Sequence, residues 1–235
     1  MDSQTRHALK QDKFVQATQG SVSWISQHRT TVIRYSILGA ALLVLVVVAA
    51  VLYSQRSQAA EVVLGKAIDI YSASLAQPGA PAEAGVYANS ADRARAANKL
   101  FIQIAESYKG LPQAAKAHYF AGLTDEEMGQ NAAAESELKT AADSWNSNLA
   151  SLAKYALAGL YHQTGRDAQA INLYQALSAK GTTAVPAYSA ELALADLYST
   201  DGRTGEAKAL WAKIKDTDKA GAAGAIAAQK LPAQN

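Results

Sequence analysis

Few residues of this sequence could carry out chemistry, and their spacing matches no familiar active site. The histidines are His7, His28, His118 and His162. They form neither an HExxH pattern nor a His-x3-His pair, so the sequence predicts no metal site. Asp125, Glu126 and Glu127 form a run of carboxylates near the end of a predicted helix. At such a place we interpret the run as a solvated acidic turn.

Other catalytic motifs are also absent from the sequence. There is no GxGxxG, no phosphate-binding loop and no GxSxG nucleophile motif. Residues 221–224, Gly-Ala-Ala-Gly, lack the preceding strand that dinucleotide binding requires. We therefore predict that the protein is not an enzyme and uses no cofactor.

Composition excludes further classes of function. The 235 residues contain no cysteine, which excludes disulfides, thiolate zinc sites, a thiol nucleophile and a lipid-modified cysteine. Lys and Arg total 22 against 20 Asp and Glu, a formal net charge of +2. So balanced a chain is not expected to bind nucleic acid through a broad basic surface.

Three glycines recur at nearly constant spacing in the later part of the chain. Gly129, Gly165 and Gly202 are separated by 36 and 37 residues. An alanine lies five residues after each glycine, a large apolar residue nine after it, and a small residue seven before it. In chain order these are the alanines Ala134, Ala170 and Ala207, the large residues Leu138, Tyr174 and Trp211, and the small residues Gly122, Ala158 and Ala195. Self-similarity at this period indicates a repeat architecture.

Each repeat is predicted to be a helical hairpin. The glycine ends the first helix in a left-handed turn, and the small residue lets the second helix approach closely. The large residue then fills the space between neighbouring hairpins, which stack because one hairpin cannot bury its own apolar face. Four residues before the glycine, the second and third units have Tyr161 and Tyr198, whereas the first has Asp125.

This spacing resembles the tetratricopeptide repeat, a helical hairpin with a period near 34 residues. The resemblance covers three units over residues 115–215 and implies an all-α fold, a TPR-like α-solenoid of antiparallel helix hairpins. The longer period and Asp125 depart from the pattern, and we interpret them as lengthened connections such as residues 180–183. A nonspecific helical coil and another helical-hairpin repeat are the alternatives.

The segments on either side of the repeats are also predicted to be helical. Residues 56–114 form an irregular first hairpin, with one helix over 59–75, a second around Phe101, and a mobile loop over 78–91. Residues 216–235 form a C-terminal capping helix and tail.

An uncharged stretch of 21 residues, 35–55, lies between Arg34 and Arg56. As a helix it extends about 30 Å, the thickness of the hydrocarbon core of a bilayer. Tyr35 and Tyr53 stand at its two ends, where aromatic residues meet headgroups. We predict an uncleaved transmembrane helix. A buried core helix and a cleaved signal peptide are the alternatives.

Basic residues predict the orientation of this span. Residues 1–34 carry five Lys or Arg, whereas the 34 residues after Tyr53 carry two. This asymmetry favours a cytoplasmic N-terminal arm, residues 1–34, and an exported C-terminal region. A stripe that includes Phe14 and Ile25 predicts a partly amphipathic helix in the arm. It either lies on the membrane surface or is a short solvated helix that only sets topology.

The order of arm, span and repeats is similar to a bacterial family that includes the ancillary subunit of the SecYEG translocon. That resemblance implies a single-pass inner-membrane protein whose repeat domain lies in the periplasm. It also implies protein partners, either translocon subunits or periplasmic chaperones.

In tetratricopeptide repeats, the first helix of each hairpin lines the concave binding face. Transferred by register, that face gives a candidate protein-binding groove of six residues: Lys116, Tyr119, Glu126, Tyr155, His162 and Asp196. Mixed charge with two tyrosines suits capture of a peptide or helix. The first hypothesis is therefore a membrane-anchored periplasmic scaffold or adaptor. The second is a structural component of a cell-envelope complex that acts by self-association, as a homo-oligomer.

Overall fold

A computed structural model describes residues 28–76 and 85–231. This part of the chain forms α-helices and no β-strand, and its one β-type pairing is an isolated bridge between Leu75 and Tyr87. The predicted all-α class is confirmed. Most of the predicted arm, with His7 and its amphipathic stripe, and part of the predicted loop 78–91 lie outside the described residues.

Nine helices lie within those residues. They are α1 (Arg29–Tyr71), α2 (Ser90–Ser107), α3 (Pro112–Glu127), α4 (Asn131–Ala142), α5 (Ser147–Gln163), α6 (Asp167–Ala179), α7 (Ala187–Thr200), α8 (Thr204–Thr217) and α9 (Ala222–Lys230). The chain divides into two compact units, Met1–Arg56 and Ser57–Asn235.

Helix α1 is continuous over 43 residues, so it extends beyond the uncharged stretch 35–55 at both ends. It is the one helix among the described residues that is long and apolar enough to cross a membrane. No residue of its most apolar 18-residue window is buried, which excludes a buried core helix. Its apolar stretch and its position near the N-terminus also fit a signal sequence.

In the second unit, each helix from α2 to α9 packs against the next one along the chain. Helix α3 also contacts α5, and α7 also contacts α9. The last turns of α1 belong to this unit, because Leu64 and Ala67 are buried in one cluster with Phe101 of α2. The ring of Phe101 stacks on that of Phe120 with centroids 5.2 Å apart.

The three repeat glycines end α3, α5 and α7 with one backbone geometry. Gly129, Gly165 and Gly202 have φ values of 73°, 73° and 78°, which confirms the predicted left-handed turns. Each glycine N–H donates to the carbonyl three residues earlier, and the next N–H donates to the carbonyl five residues earlier. This pair of bonds is the Schellman motif, which satisfies carbonyls at the helix end.

The other positions of the repeat are buried as the spacing predicts. Ala134, Ala170 and Ala207 are fully buried. The large residues nine positions after each glycine, Leu138, Tyr174 and Trp211, are at most 6% exposed. Gly122 shows why that position must be small, since a Cβ there would lie 2.6 Å from Leu138 Cγ. The common register therefore sets the contacts between the paired helices.

Candidate functional site

A cavity of about 510 Å³ lies between α5, α6, α7 and α9. Its polar lining comes from Tyr155 and His162 of α5 and from Ser189, Asp196 and Thr200 of α7. Its apolar lining includes Tyr174 of α6, Leu192 and Leu197 of α7, and Ile226 of α9.

Local sequence fixes where these helices begin and end. The Asn146 side chain caps α5 by accepting hydrogen bonds from the N–H groups of Asn148 and Leu149. Pro186 stands immediately before α7, and Gly165 and Gly202 end α5 and α7. As a result, Tyr155 and His162 of α5 and Asp196 and Thr200 of α7 line the same cavity.

The His162 ring is held from both sides. Its Nδ1 lies 2.6 Å from Asp167 Oδ1, and its Nε2 lies 3.3 Å from Thr200 Oγ1. The order hydroxyl, imidazole, carboxylate is that of a nucleophilic triad. However, Thr200 Oγ1 also donates to the carbonyl of Leu197 at 2.9 Å, in the last turn of α7. The partial negative charge of a helix C-terminus opposes a developing oxyanion, so the contacts orient the ring.

Two tyrosines form the aromatic side of the cavity. The rings of Tyr155 and Tyr174 meet edge to face, with centroids 5.4 Å apart. Burial, and then the charge of Asp196, raises the pKa of Tyr155. Burial raises the pKa of Tyr174 to about 12, with smaller contributions from Tyr155 and Glu126. Both side chains are therefore neutral hydroxyls at physiological pH.

Asp196 is the carboxylate at the mouth of the cavity. Its Oδ1 accepts a hydrogen bond from Lys230 Nζ of α9 at 3.0 Å. The two side chains are 48% and 46% exposed, so solvent screens the pair. Lys230 also lies over the ring of Trp211, with Nζ 5.9 Å from its centroid.

The structure brings half of the predicted groove together. Tyr155, His162 and Asp196 line the cavity, whereas Lys116, Tyr119 and Glu126 do not.

Those three residues of α3 are engaged elsewhere. Lys116 Nζ lies 3.5 Å from Glu61 Oε1, in the last turns of α1. Tyr119 packs edge to face on Phe120, with ring centroids 5.3 Å apart, and is half-buried. Glu126 Oε1 accepts a hydrogen bond from Gln163 Nε2 at 2.8 Å.

Sequence reasoning missed seven of the ten residues that line the cavity: Tyr174, Ser189, Leu192, Ala193, Leu197, Thr200 and Ile226. The repeat pattern predicts only a packing role for Tyr174. Thr200 lies two residues after Tyr198, outside the recurring positions, and Ile226 lies in the segment predicted only as a capping helix. The sequence signal for Tyr174 is its hydroxyl. In the first unit the same register position is wholly buried and holds the apolar Leu138, whereas Tyr174 carries a polar group. Nothing in the sequence indicated that α9 folds back on α7.

A separate polar cluster surrounds Asp125, which is 4% exposed. Its Oδ1 accepts a hydrogen bond from Asn98 Nδ2 at 2.8 Å. Burial, and then the charge of Glu137, raises the pKa of Asp125 to about 6, although the bond from Asn98 opposes the shift. The predicted solvated turn is therefore wrong at Asp125, because its side chain faces α2 instead of solvent. Glu137 itself lies 2.6 Å from His118 Nδ1.

Within residues 28–76 and 85–231, no group of three or more His, Asp or Glu side chains is arranged to hold a metal ion. Comparisons with models of protein families, with curated proteins and with solved structures gave no match. The geometry of the cavity is therefore the basis for a functional assignment.

Proposed function

We propose that this protein is a single-pass membrane-anchored scaffold whose TPR-like repeat domain binds segments of partner proteins. The observation that carries the proposal is the cavity between helices of successive hairpins, with its tyrosine pair and the carboxylate of Asp196. Tyrosine supplies contact area and a hydrogen bond at little entropic cost, which suits capture of a peptide or helix.

Two features support the TPR-like assignment. The turns at Gly129, Gly165 and Gly202 are alike in φ and in both hydrogen bonds. Short turns also place each helix against the next one along the chain, as stacked hairpins require.

Helix α1 is the proposed anchor, with the arm in the cytoplasm and the repeat domain in the periplasm. Its length and apolar surface, and the excess of basic residues before it, support this topology. An anchor confines the domain to a thin layer at the bacterial inner membrane and so raises its effective concentration toward partners there. The resemblance to the translocon-associated family favours translocon subunits, exported chains and periplasmic chaperones as those partners.

Crosslinking in intact membranes followed by affinity isolation tests the partners. We expect recovery of translocon subunits and exported chains, whereas recovery of the protein alone would reject the adaptor. The matched variant combines Tyr155→Ala, His162→Ala and Asp196→Lys, the predicted groove residues that line the cavity.

We expect that variant to lose capture while keeping the helical circular dichroism of the parent. A control variant reverses two charges on α8, Lys208→Glu and Asp216→Lys, outside the cavity lining, and should capture normally. If the groove variant captures as well as the parent, the groove is misplaced.

Protease treatment of spheroplasts tests the topology. We expect digestion of the repeat domain, since it is proposed to face the periplasm. Protection of that domain in intact spheroplasts would place it in the cytoplasm and reject the export assignment.

One observation favours the second candidate function, assembly through self-association. Trp145, in the turn between α4 and α5, is fully exposed. Tryptophan is enriched in the contact centres of interfaces, so this turn is a candidate contact with another chain. Sedimentation of the protein and of its Trp145→Ser variant tests self-association. A dimer that is lost in the variant supports it, and a monomeric parent excludes it.

A further inference from the structure

Helix α9 presents Ile226 to the cavity and Lys230 to Asp196. Ile226 and Lys230 are four residues apart, so they lie one above the other on the helix. Ile226 forms part of the cavity wall and is 44% exposed. Lys230 places its ammonium on Asp196 at 3.0 Å. The chain thus offers the cavity an apolar side chain with a cation beside it.

The charges around the cavity favour a cation. Asp196 lines the cavity, and Asp167 contacts the Nδ1 of His162. The negative charge of Glu126 contributes to the raised pKa of Tyr174. Among the described ion pairs, Lys230 supplies the cation on Asp196. A positively charged guest therefore meets a complementary field, and an acidic guest meets repulsion.

The contact between Lys230 and Asp196 is exchangeable. Half-exposed pairs of this kind contribute little to stability, because water screens both charges. The rest of α9 is attached independently: Gly224 and Ala227 are buried, and the Gly224 N–H donates to Asp218 Oδ2 at 3.0 Å. Lys230 can therefore leave Asp196 while the helix stays in place.

We propose that the cavity binds a partner segment that carries Lys or Arg beside a large apolar side chain, and that Lys230 competes with the cation of that segment. This deepens the proposed function and rests on it. The partner cation takes Asp196, and its apolar side chain packs between the two tyrosines, Leu192 and Ile226. The apolar side chain and the cation of the partner correspond to Ile226 and Lys230 of α9.

The test uses the full chain in phosphatidylcholine nanodiscs, whose zwitterionic lipid does not attract a basic probe. The probe is a fluorescein-labelled 12-residue Ala/Gln peptide with one Leu-x-x-x-Arg pair, and its twin carries Glu in place of Arg. Fluorescence anisotropy measures both affinities. We expect the Arg peptide to bind and the Glu peptide to bind at least about tenfold more weakly.

Variants locate the site. Lys230→Ala should tighten binding of the Arg peptide by about two- to fivefold, the range of one screened ion pair. Asp196→Asn should weaken binding by about fivefold or more, since its carboxylate holds the guest cation. The controls Lys219→Ala and Asp216→Asn remove one charge each outside the cavity lining and should leave affinity unchanged. Circular dichroism confirms that each variant is folded, and Lys230→Gln serves if Lys230→Ala is not.

Three results would overturn the inference: no binding of the Arg peptide, equal binding of the Glu peptide, or indifference to both Asp196→Asn and Lys230→Ala. These failures differ from failure of the proposed function. If membrane partners are still captured through the tyrosines while Asp196 has no effect, the scaffold stands and only its preference for cations falls. If no partner is captured from membranes, the scaffold itself falls.

Discussion

The turn after α3 can be compared with the turns after α5 and α7, because all three have the same backbone. In the second and third units, the side chain four residues before the glycine is a tyrosine, and the one directly after the glycine is an arginine. Arg166 lies over Tyr161 at 4.3 Å and Arg203 over Tyr198 at 4.1 Å from the ring centroids. The first unit has Asp125 and Gln130 at these places.

The difference separates what the backbone requires from what the side chains add. The Schellman motif needs the glycine and brings the two flanking side chains together. In the later units a half-exposed arginine lies over a buried tyrosine ring. In the first unit the same position is also buried, but it holds a carboxylate that is bonded to Asn98 of α2. Asp125 therefore lies at the contact between the first glycine unit and α2.

The largest expected effect concerns the large apolar residue nine positions after each repeat glycine. It tests whether that residue has the same packing role in different units. Leu138→Ala and Trp211→Ala each remove a buried side chain nine residues after a repeat glycine. Each should lower the free energy of unfolding by about 2–5 kcal/mol, through lost apolar contact and a cavity. Denaturant unfolding followed by circular dichroism measures this. A cost below 1 kcal/mol for either variant would show that the units are not equivalent.

The second prediction concerns the buried carboxylate that the later units lack. A folded pKa of about 6 for Asp125, against 3.8 unfolded, means that the folded protein binds the proton more tightly. The stability contribution is complete below pH 4 and is lost as the pH rises through 6. Asp125→Asn should therefore raise the free energy of unfolding at pH 7.5 by about 2–3 kcal/mol and change little at pH 4.

The neutral amide keeps an oxygen to accept the bond from Asn98, so packing is preserved. Asp216→Asn, an exposed carboxylate on α8, is the control and should show no such pH-dependent gain. Equal unfolding curves for the parent and Asp125→Asn at both pH values would mean that Asp125 is solvated, as the sequence first indicated.

Third, the close helix contact differs between units. Gly122→Ala should lower stability by about 1–2 kcal/mol, because its Cβ would lie 2.6 Å from the buried Leu138 Cγ. The equivalent residue of the second unit is already alanine, so Ala158→Gly should cost about 1 kcal/mol through helix propensity. Thermal unfolding of the two variants checks the contrast. A neutral Gly122→Ala would mean that the contact between α3 and α4 can accommodate an extra methyl group.

The smallest effect concerns the cation over the ring. Arg203→Met should lower the melting temperature by less than about 3 °C, because it removes one cation–π contact and one exposed ion pair, with Glu206, and both are weak. Gln130→Met at the same place in the first unit should leave it unchanged, since no ring lies four residues before that glycine. An equal shift in both variants would assign the effect to helix propensity.

The fold could be predicted largely because glycine turns and small residues act locally. A left-handed φ and a close helix contact restrict the residue at one position, so Gly129 and Gly122 can be recognised in the sequence. The apolar stretch of α1 is equally local. Burial of Asp125 is not, because it depends on Asn98 of a helix that precedes the regular units.

The candidate site was predicted only in part for the same reason. Register places Tyr155, His162 and Asp196 on equivalent helices, and they share the cavity. Register says nothing about the last turns of α1, where Glu61 engages Lys116. It also says nothing about α9, whose return to α7 is a contact between segments with no common pattern.

Site-specific photo-crosslinking in living cells tests whether the cavity binds partner proteins. A photoreactive residue replaces Ser189, which lines the cavity, or Lys208, which is exposed on α8 outside the lining. We expect adducts with translocon subunits or exported chains from position 189, their loss in the Tyr155→Ala background, and none from position 208. Equal adducts from both positions, or adducts only between copies of this chain, would contradict it.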